Sequence, residues 1–202
     1  APAPIVTSKD SVNAGMPPPA TGGVHVPAPD LVKCATIIAP FTVVVMLGAG
    51  LKDGQRLTVR VLGDGPLGGI ISEGNGRGEV RGYVQNPDVD LPLTPRRKLD
   101  VGGAVGPGTL HVTKDVGLRY PYHGSVPLVS GEIGEDVAHY LVVSEQVPSV
   151  VALGVLVAPD HGVEAAGGFI VQVLPGASPE IPRHLEERVV HLPAVTQLVR
   201  RG

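Results

Sequence analysis

Residues 130–148, SGEIGEDVAHYLVVSEQVP, constrain the fold more than any other stretch because they carry the clearest helix signal in the chain. Ser130 is a favourable N-cap, the acidic residues after it suit the positive end of a helix, and Pro148 ends the segment. The apolar positions recur at helical spacing and spread to other sides in the second half: Ile133, Val137, Tyr140, Leu141, Ala138, Val142 and Val143. A helix that is apolar nearly all round is usually buried. The segment therefore predicts a central helix enclosed by other elements.

Short strands separated by turn residues flank this helix on both sides. Residues 57–61 alternate between apolar and polar side chains, as a half-buried strand does. The predicted strands are 57–61, 67–72, 79–84, 109–114, 122–128, 150–157 and 163–173. Glycine-rich or Asp-Gly turns separate most neighbouring strands, which favours antiparallel hairpins. The pattern predicts an α+β fold with mostly antiparallel strands.

The first 46 residues differ from the rest because prolines recur along them. Residues 1–29 have the composition of an extended tail. Residues 31–46 form an aliphatic run that fits either a helix or a strand, and Pro40 within it is expected to interrupt a long helix. The pattern of residues leaves both alternatives open for this run.

The charge balance argues against a surface dominated by nucleic-acid phosphates, since 16 basic and 19 acidic residues leave a net charge of −3 with no long run of either sign. No apolar stretch reaches the roughly 20 residues that a membrane helix needs. No basic-then-apolar leader is evident, and Cys34 is the single cysteine, which excludes an internal disulfide or a cysteine-rich zinc site within these residues. We therefore expect a cytoplasmic protein that binds neither nucleic acid nor membrane.

Two glycine-rich stretches, residues 63–69 and 74–78, raise the question of an anion-binding loop. Such a loop needs a helix after it and a lysine near the phosphates, whereas strands follow here. Hairpin turns are the favoured interpretation. The alternative, a small-ligand enzyme that uses these turns as an anion site, predicts a concave pocket lined by them. Asp136 and His139, three residues apart on the predicted helix, form a weak candidate metal pair, for which an ion pair or a capping role is favoured.

Four segments taken together closely resemble one known family. They are residues 63–93 (GDGPLGGIISEGNGRGEVRGYVQNPDVDLPL), 98–118 (KLDVGGAVGPGTLHVTKDVGL), 124–157 (GSVPLVSGEIGEDVAHYLVVSEQVPSVVALGVLV) and 165–177 (AAGGFIVQVLPGA). In this order and spacing they resemble heat-shock protein 33, the redox-regulated holdase chaperones of bacteria. The resemblance runs from about residue 47 to about residue 192, whereas residues 1–46 match poorly.

The resemblance implies a chaperone domain with three layers, β/α/β, around a buried helix, and it favours a helix over residues 31–46. It implies one core domain over residues 1–177 and, over 178–202, the start of a helical linker that swaps onto the partner in a dimer. In the full-length family a zinc domain with Cys-x-Cys and Cys-x-x-Cys follows, and oxidation of its thiolates releases zinc and exposes apolar client-binding surface. The resemblance places these zinc cysteines beyond Gly202, so no metal ligand is carried over to residues 1–202.

The resulting hypothesis is a non-enzymatic, dimeric, ATP-independent holdase that binds unfolding proteins through apolar surface. Leu185, Val189 and Leu192 are the candidate client contacts, since they keep helical spacing where the family's linker begins. The alternatives are that these side chains pack on the core or on a partner subunit, and that the domain is an inert dimerisation core. No catalytic residue and no cofactor is predicted.

Overall fold

The structure, a computed structural model, describes residues 31–89, 91–92, 94–95, 99–158, 163–178, 180–189 and 191–200. The predicted tail over residues 1–29, the predicted turn at 160–162 and Gly202 lie outside these ranges. The helices are α1 (Leu31–Gly48), α2 (Val101–Val105), α3 (Ile133–Val143), α4 (Glu180–Val189) and α5 (Val195–Arg200). The strands are β1 (Arg56–Gly63), β2 (Gly69–Asn75), β3 (Val80–Val84), β4 (Gly108–Asp115), β5 (Tyr122–Pro127), β6 (Ser149–Val157) and β7 (Val163–Gln172). Each predicted strand corresponds to one of these, with ends shifted by a few residues.

The first five strands form one antiparallel sheet in the order β3-β2-β1-β4-β5. The central strand β1 alternates strictly, with Leu57, Val59 and Val61 buried and Arg56 and Arg60 exposed. Because alternate residues of a strand point to opposite faces, one face of this sheet is apolar and the other polar. The apolar face packs on the helical layer.

The last two strands pair as a separate antiparallel hairpin, β6-β7. Its sequence is apolar on both faces, and both faces are covered. A side chain built at Gly168 would meet Leu153 and Met46 of α1, so this face points to the helical layer. A side chain built at Gly154, which has the opposite parity, would meet the first residues of α5. The hairpin is therefore the third layer, and α5 lies against its outer side.

Helix α1 lies between the sheet and the hairpin and contacts strands of both. The run is aliphatic on every side, and Val43 and Val44 are completely buried. A buried helix enclosed by β-structure on both sides is present as predicted, but it is α1 and not the segment 130–148, to which the sequence assigned that position. The fold is α+β with three β/α/β layers, as predicted.

The helix α1 continues through Pro40, contrary to the expectation that this proline would interrupt it. A proline inside a helix costs about 3 kcal/mol, because it removes one hydrogen bond and crowds the preceding turn. Burial of each valine in the following turn contributes roughly 1.5–3 kcal/mol, so tertiary packing outweighs the local cost. The hydroxyl of Thr42 donates to the Ile38 carbonyl at 3.1 Å and supports the helix beyond the proline.

Helix α3 is shorter and less enclosed than predicted. It begins at Ile133 and not at Ser130, whose hydroxyl accepts from the Glu132 N–H at 3.1 Å in the preceding turn. The predicted face is buried, with Ile133, Val137, Tyr140 and Leu141 inside the core. Val142 and Val143 were expected to be buried as well, yet they are 48% and 55% exposed. The helix therefore presents one face to the core and an apolar edge to the surface.

Candidate functional site

Helix α4 is amphipathic, and no other described helix or strand packs extensively on it. Ser178 precedes the helix and its hydroxyl accepts from the Glu180 N–H at 3.4 Å. Ile181, Leu185 and Val189 follow at intervals of four and share one side of the helix. Ile181 is exposed, whereas Leu185 and Val189 are half-buried. The structure thus brings two of the three predicted contact residues onto one apolar stripe.

The third predicted residue, Leu192, lies beyond the end of the helix. The sequence predicted helical spacing as far as Pro193, but α4 ends at Val189. The N–H of Leu192 donates to the Val189 carbonyl at 3.0 Å, which makes a turn that leads towards α5. Leu192 is 48% exposed and follows the apolar stripe in a turn, not on the helix.

The first glycine-rich stretch is the turn between β1 and β2, and its N–H groups are already engaged. The N–H groups of Asp64, Gly65 and Leu67 donate to carbonyls of the segment around α2, at 2.8, 2.9 and 3.0 Å. The N–H of Gly69 donates to the side chain of Gln85 at 3.1 Å. An anion-binding loop needs free N–H donors that converge on one point. The N–H groups of this turn are instead hydrogen-bonded to neighbouring segments of the protein. This agrees with the favoured interpretation of the stretch as a hairpin turn.

An open cleft of about 670 Å³ lies beside this turn. It is lined by Pro66, Gln85, Asn86, Pro87, Asp88, Val89 and Leu91. The amide of Asn86 donates to the Pro66 carbonyl at 3.1 Å, so this polar group serves the turn itself. The cleft therefore contains one residue of the glycine-rich turn, and the two amide side chains in its lining, Gln85 and Asn86, are hydrogen-bonded to the backbone of that turn.

A polar cluster ties the end of α3 to the five-stranded sheet. The Glu145 carboxylate forms an ion pair with the ammonium of Lys114 on β4 and accepts from the hydroxyl of Tyr140 at 2.9 Å. The hydroxyl of Tyr122 on β5 donates to the Ser144 carbonyl at 3.3 Å. Burial, together with the nearby Glu145 carboxylate, raises the pKa of Tyr140 well above its usual value. No local sequence pattern indicates this cluster, because Lys114 and Tyr122 are far from Glu145 in the chain.

Asp136, one member of the weak candidate metal pair on α3, has a capping role, in line with the favoured interpretation. Asp136 is buried, and its carboxylate accepts from the N–H groups of Val129 and Ser130 at 2.7 and 3.2 Å. It thereby fixes the loop that leads into the helix. Among the residues that the structure describes, no three His, Cys, Asp or Glu side chains come together as metal ligands do. The expectation that the family's zinc cysteines follow Gly202 stays a prediction.

Exposed apolar side chains also occur at the end of α3. Val142 and Val143 lie next to Ser144, to which Tyr122 is hydrogen-bonded, and Tyr122 is itself exposed. The sequence contained a signal for this exposure, since residues 142 and 143 fall outside the helix face shared by 133, 137, 140 and 141.

Within the described ranges, no helix is long and apolar enough to cross a membrane.

The chain is similar to known proteins in both sequence and structure. A family model described as "Hsp33 protein" matches residues 35–201, a range that begins before and ends beyond the segments quoted from the sequence. The 33 kDa chaperonin of Desulforamulus reducens is 55% identical over 171 residues, which are 85% of this chain and 58% of that protein. The 33 kDa chaperonin of Oceanobacillus iheyensis is 50% identical over 162 residues, 80% of this chain and 56% of that protein.

A solved structure shows the same architecture. The crystal structure of the 33 kDa chaperonin (heat shock protein 33 homolog) from Thermotoga maritima superposes with a TM-score of 0.80 at 38% identity, covering 86% of this chain and 60% of that one. The chain thus spans a little under three fifths of the length of the two curated relatives. The relatives are named as chaperonins, which points to a non-enzymatic role.

Proposed function

The chain belongs to the Hsp33 family of chaperones, and from this premise we propose that it is an ATP-independent holdase. It binds unfolding proteins through exposed apolar surface and releases them without a nucleotide cycle. The driving force is the burial of apolar surface of the client, which is non-directional and therefore accepts many sequences. Such a mechanism needs a surface and no catalytic group.

The observation that carries this proposal is the apolar stripe of α4, which we define as Ile181, Leu185, Val189 and Leu192. Its members alternate with exposed charged residues, and no described helix or strand packs extensively over it. Monomeric proteins rarely leave contiguous apolar surface uncovered unless something binds there. The same helix side holds Leu185 and Val189, two of the three residues that the sequence selected.

The test is suppression of light scattering by a thermally unfolding client at a stoichiometric amount of the 202-residue chain. We expect the chain to suppress scattering and the double variant Leu185→Ser, Val189→Ser to lose most of this effect, because it removes apolar area at the centre of the stripe. Glu187→Ser is the matched control, since Glu187 is exposed on the same helix, and it should retain suppression.

Each outcome decides between the proposal and an alternative. An unmodified chain that does not suppress scattering at all supports the inert dimerisation core. Equal suppression by the double variant and the control removes the α4 stripe as the client surface. In that case the exposed pair Val142 and Val143 would be the next surface to substitute.

We further propose that the chain forms a homodimer in which the segment from Ser178 onward contacts or exchanges with the partner. The position of α4 supports this, because no described helix or strand of its own subunit packs extensively on that helix. Mass measurement by light scattering after size-exclusion chromatography tests it, with a dimer as the expected result. A monomer at micromolar concentration would contradict the dimer.

Redox control through zinc-bound cysteines is proposed for the family at full length and not for these 202 residues, which contain one cysteine. We propose that this chain acts without a metal and in the cytoplasm. Treatment with a chelator should leave suppression of aggregation by the chain unchanged. Cell fractionation should recover the chain in the cytosol.

A further inference from the structure

The outer edge of β6 differs from the three other strand edges at the margins of the two described sheets. β3 has only five residues and carries Arg81, and on β5 the edge position Pro127 lacks an N–H group. On β7, residues 166–168 are buried. β6 is nine residues long, contains no charged residue and no proline, and is buried only at Gly154. A long, uncharged edge of this kind pairs readily with another extended chain.

Alternate residues of β6 direct their main-chain groups away from the hairpin. The N–H of Val173 donates to the Pro148 carbonyl at 3.0 Å, which identifies this pair as a hydrogen-bonded one. Because hydrogen-bonded and non-hydrogen-bonded pairs alternate in an antiparallel ladder, the main-chain groups that face outward belong to residues 149, 151, 153 and 155. None of these groups has a hydrogen-bond partner among the residues that the structure describes. They recur about every 6.6–6.8 Å, which is the repeat of the complementary groups on another strand.

Helix α3 forms an apolar floor beside this edge. A side chain built at Gly134 would lie 3.6 Å from Leu153 of β6, so this side of the helix faces the strand. Ala138 and Val142 follow at intervals of four on the same side. Ala138 is half-buried and Val142 is 48% exposed. The outward residues of β6 and this floor together form an uncharged groove, which we call the β6 groove.

We propose that the β6 groove holds an extended segment of an unfolding protein as an added strand. The proposal rests on the holdase function and names how the client is held. The client's main chain pairs with the outward groups of β6, and the apolar side chains on one of its faces lie on Ala138 and Val142. Because all proteins share the same main chain, this pairing accepts many sequences. The apolar floor favours segments that a folded protein keeps in its core.

A second copy of β6 is a poorer occupant of this groove. α3 packs beneath β6 but not extensively on β7, so it lies under the edge itself. Antiparallel pairing of two β6 strands over the whole edge would set two copies of α3 side by side at roughly the strand spacing of 4.8 Å. Packed helix axes need about 8–10 Å. A single extended segment brings no helix with it and meets no such obstacle.

The first experiment measures fluorescence anisotropy of three labelled peptides with the whole 202-residue chain. All three have the same sequence of alternating threonine and valine, and they differ only in N-methylation of the main chain. Methylation of every second residue blocks one edge of the peptide and leaves the other free, so this peptide should bind as the unmethylated one does. Methylation of every residue blocks both edges and should weaken binding at least about tenfold, because the strand hydrogen bonds cannot form. Binding by apolar contact alone would not separate the three, since their side chains are identical.

The second experiment places a charge on the floor of the groove. Val142→Lys should weaken binding of the unmethylated peptide at least about fivefold, because the added strand would cover the ammonium group. Val143→Lys is the matched control, since it makes the same change at the adjacent residue, which is 55% exposed and lies on a different side of the helix. The control should bind the peptide as the unmodified chain does.

No binding of the unmethylated peptide at roughly 200 µM chain overturns the proposal. Equal binding of the three peptides, or equal weakening by the two lysine variants, also overturns it. Loss of a dimer in Val142→Lys alone, measured by light scattering, would assign the groove to a second copy and would likewise overturn it. The aggregation assay separates these failures from failure of the holdase. A chain that suppresses scattering but does not distinguish the peptides is a holdase without strand addition, whereas a chain that suppresses no scattering contradicts the holdase function itself.

Discussion

At the scale of single residues, the polar cluster around Glu145 shows how a buried hydroxyl is kept neutral. Tyr140 is fully buried, and its hydroxyl donates to the Glu145 carboxylate, which is also paired with Lys114. Ionisation would place a phenolate in the core beside a carboxylate. Burial first, and then this carboxylate, raise the pKa of Tyr140 above its ordinary value.

This raised pKa predicts a loss of stability in alkali. In the unfolded chain a tyrosine ionises near pH 10, whereas folded Tyr140 holds its proton, so the unfolded state gives up a proton that the folded state retains. The stabilisation is fully present below about pH 10 and is lost as the pH rises above it, by up to about 1.4 kcal/mol per pH unit. Urea unfolding at pH 9, 10 and 11 measures it.

The variant Tyr140→Phe isolates this contribution, because it removes only the titrating hydroxyl. It should be less stable than the unmodified chain at pH 8, by about 1 kcal/mol for the lost hydrogen bond, and should lose less stability between pH 10 and 11. Tyr120→Phe serves as the control, since Tyr120 is 71% exposed. Identical alkaline slopes for the unmodified chain and Tyr140→Phe would contradict the explanation.

At the scale of elements, the turn between β1 and β2 and the short helix α2 fit together through backbone contacts. The N–H of Gly65 donates to the Val105 carbonyl at 2.9 Å. A methyl group built at Gly65 would lie 2.5 Å from the Ala104 carbonyl oxygen and 2.6 Å from the Val105 carbonyl carbon. The glycine is therefore required by close approach of two main chains and not by a ligand.

Gly65→Ala is accordingly expected to lower the free energy of unfolding by about 1–3 kcal/mol, because neither backbone can move aside without losing hydrogen bonds. Gly50→Ala is the control, since a methyl group built there has no atom within 4 Å, and it should change stability by less than about 0.5 kcal/mol. Urea titration of both variants measures the difference. A Gly65→Ala variant as stable as the control would show that the two segments separate easily.

The elements also show which parts of the fold a sequence can predict. The alternation of apolar and polar residues predicted the strands. Burial of one sheet face requires an apolar side chain at every second position, as at Leu57, Val59 and Val61. The helix α2 was missed, because Gly102 and Gly103 have low helix propensity, although Asp100 caps it with a 2.9 Å hydrogen bond from the Gly103 N–H. The continuation of α1 through Pro40 depends on neighbours from distant strands, which no local pattern contains.

The candidate site was predictable to a similar degree. Spacing located Leu185 and Val189 on one helix side, but it extended the helix to Leu192, which lies in a turn.

At the scale of the whole molecule, a single hydrophobic core joins both β layers. Val43 and Val44 of α1 belong to the same cluster as Val59 and Leu110 of the sheet, and Leu153 of the hairpin packs against it. We therefore expect one unfolding transition, with far-ultraviolet circular dichroism and calorimetry giving the same midpoint. Val44→Ala should lower that midpoint for both signals together. Two separate transitions would show that the hairpin folds independently of the sheet.

The position of α1 in the chain has a consequence for synthesis on the ribosome. This helix is made early, but the strands that cover it extend to Gln172, which is 124 residues after Gly48. At about 5–20 residues per second, translation leaves its aliphatic surface without its final partner for roughly 6–25 s. During that interval the nascent chain exposes an aliphatic segment of the kind that chaperones bind. A protein of this design is, for the first seconds of its existence, a client itself.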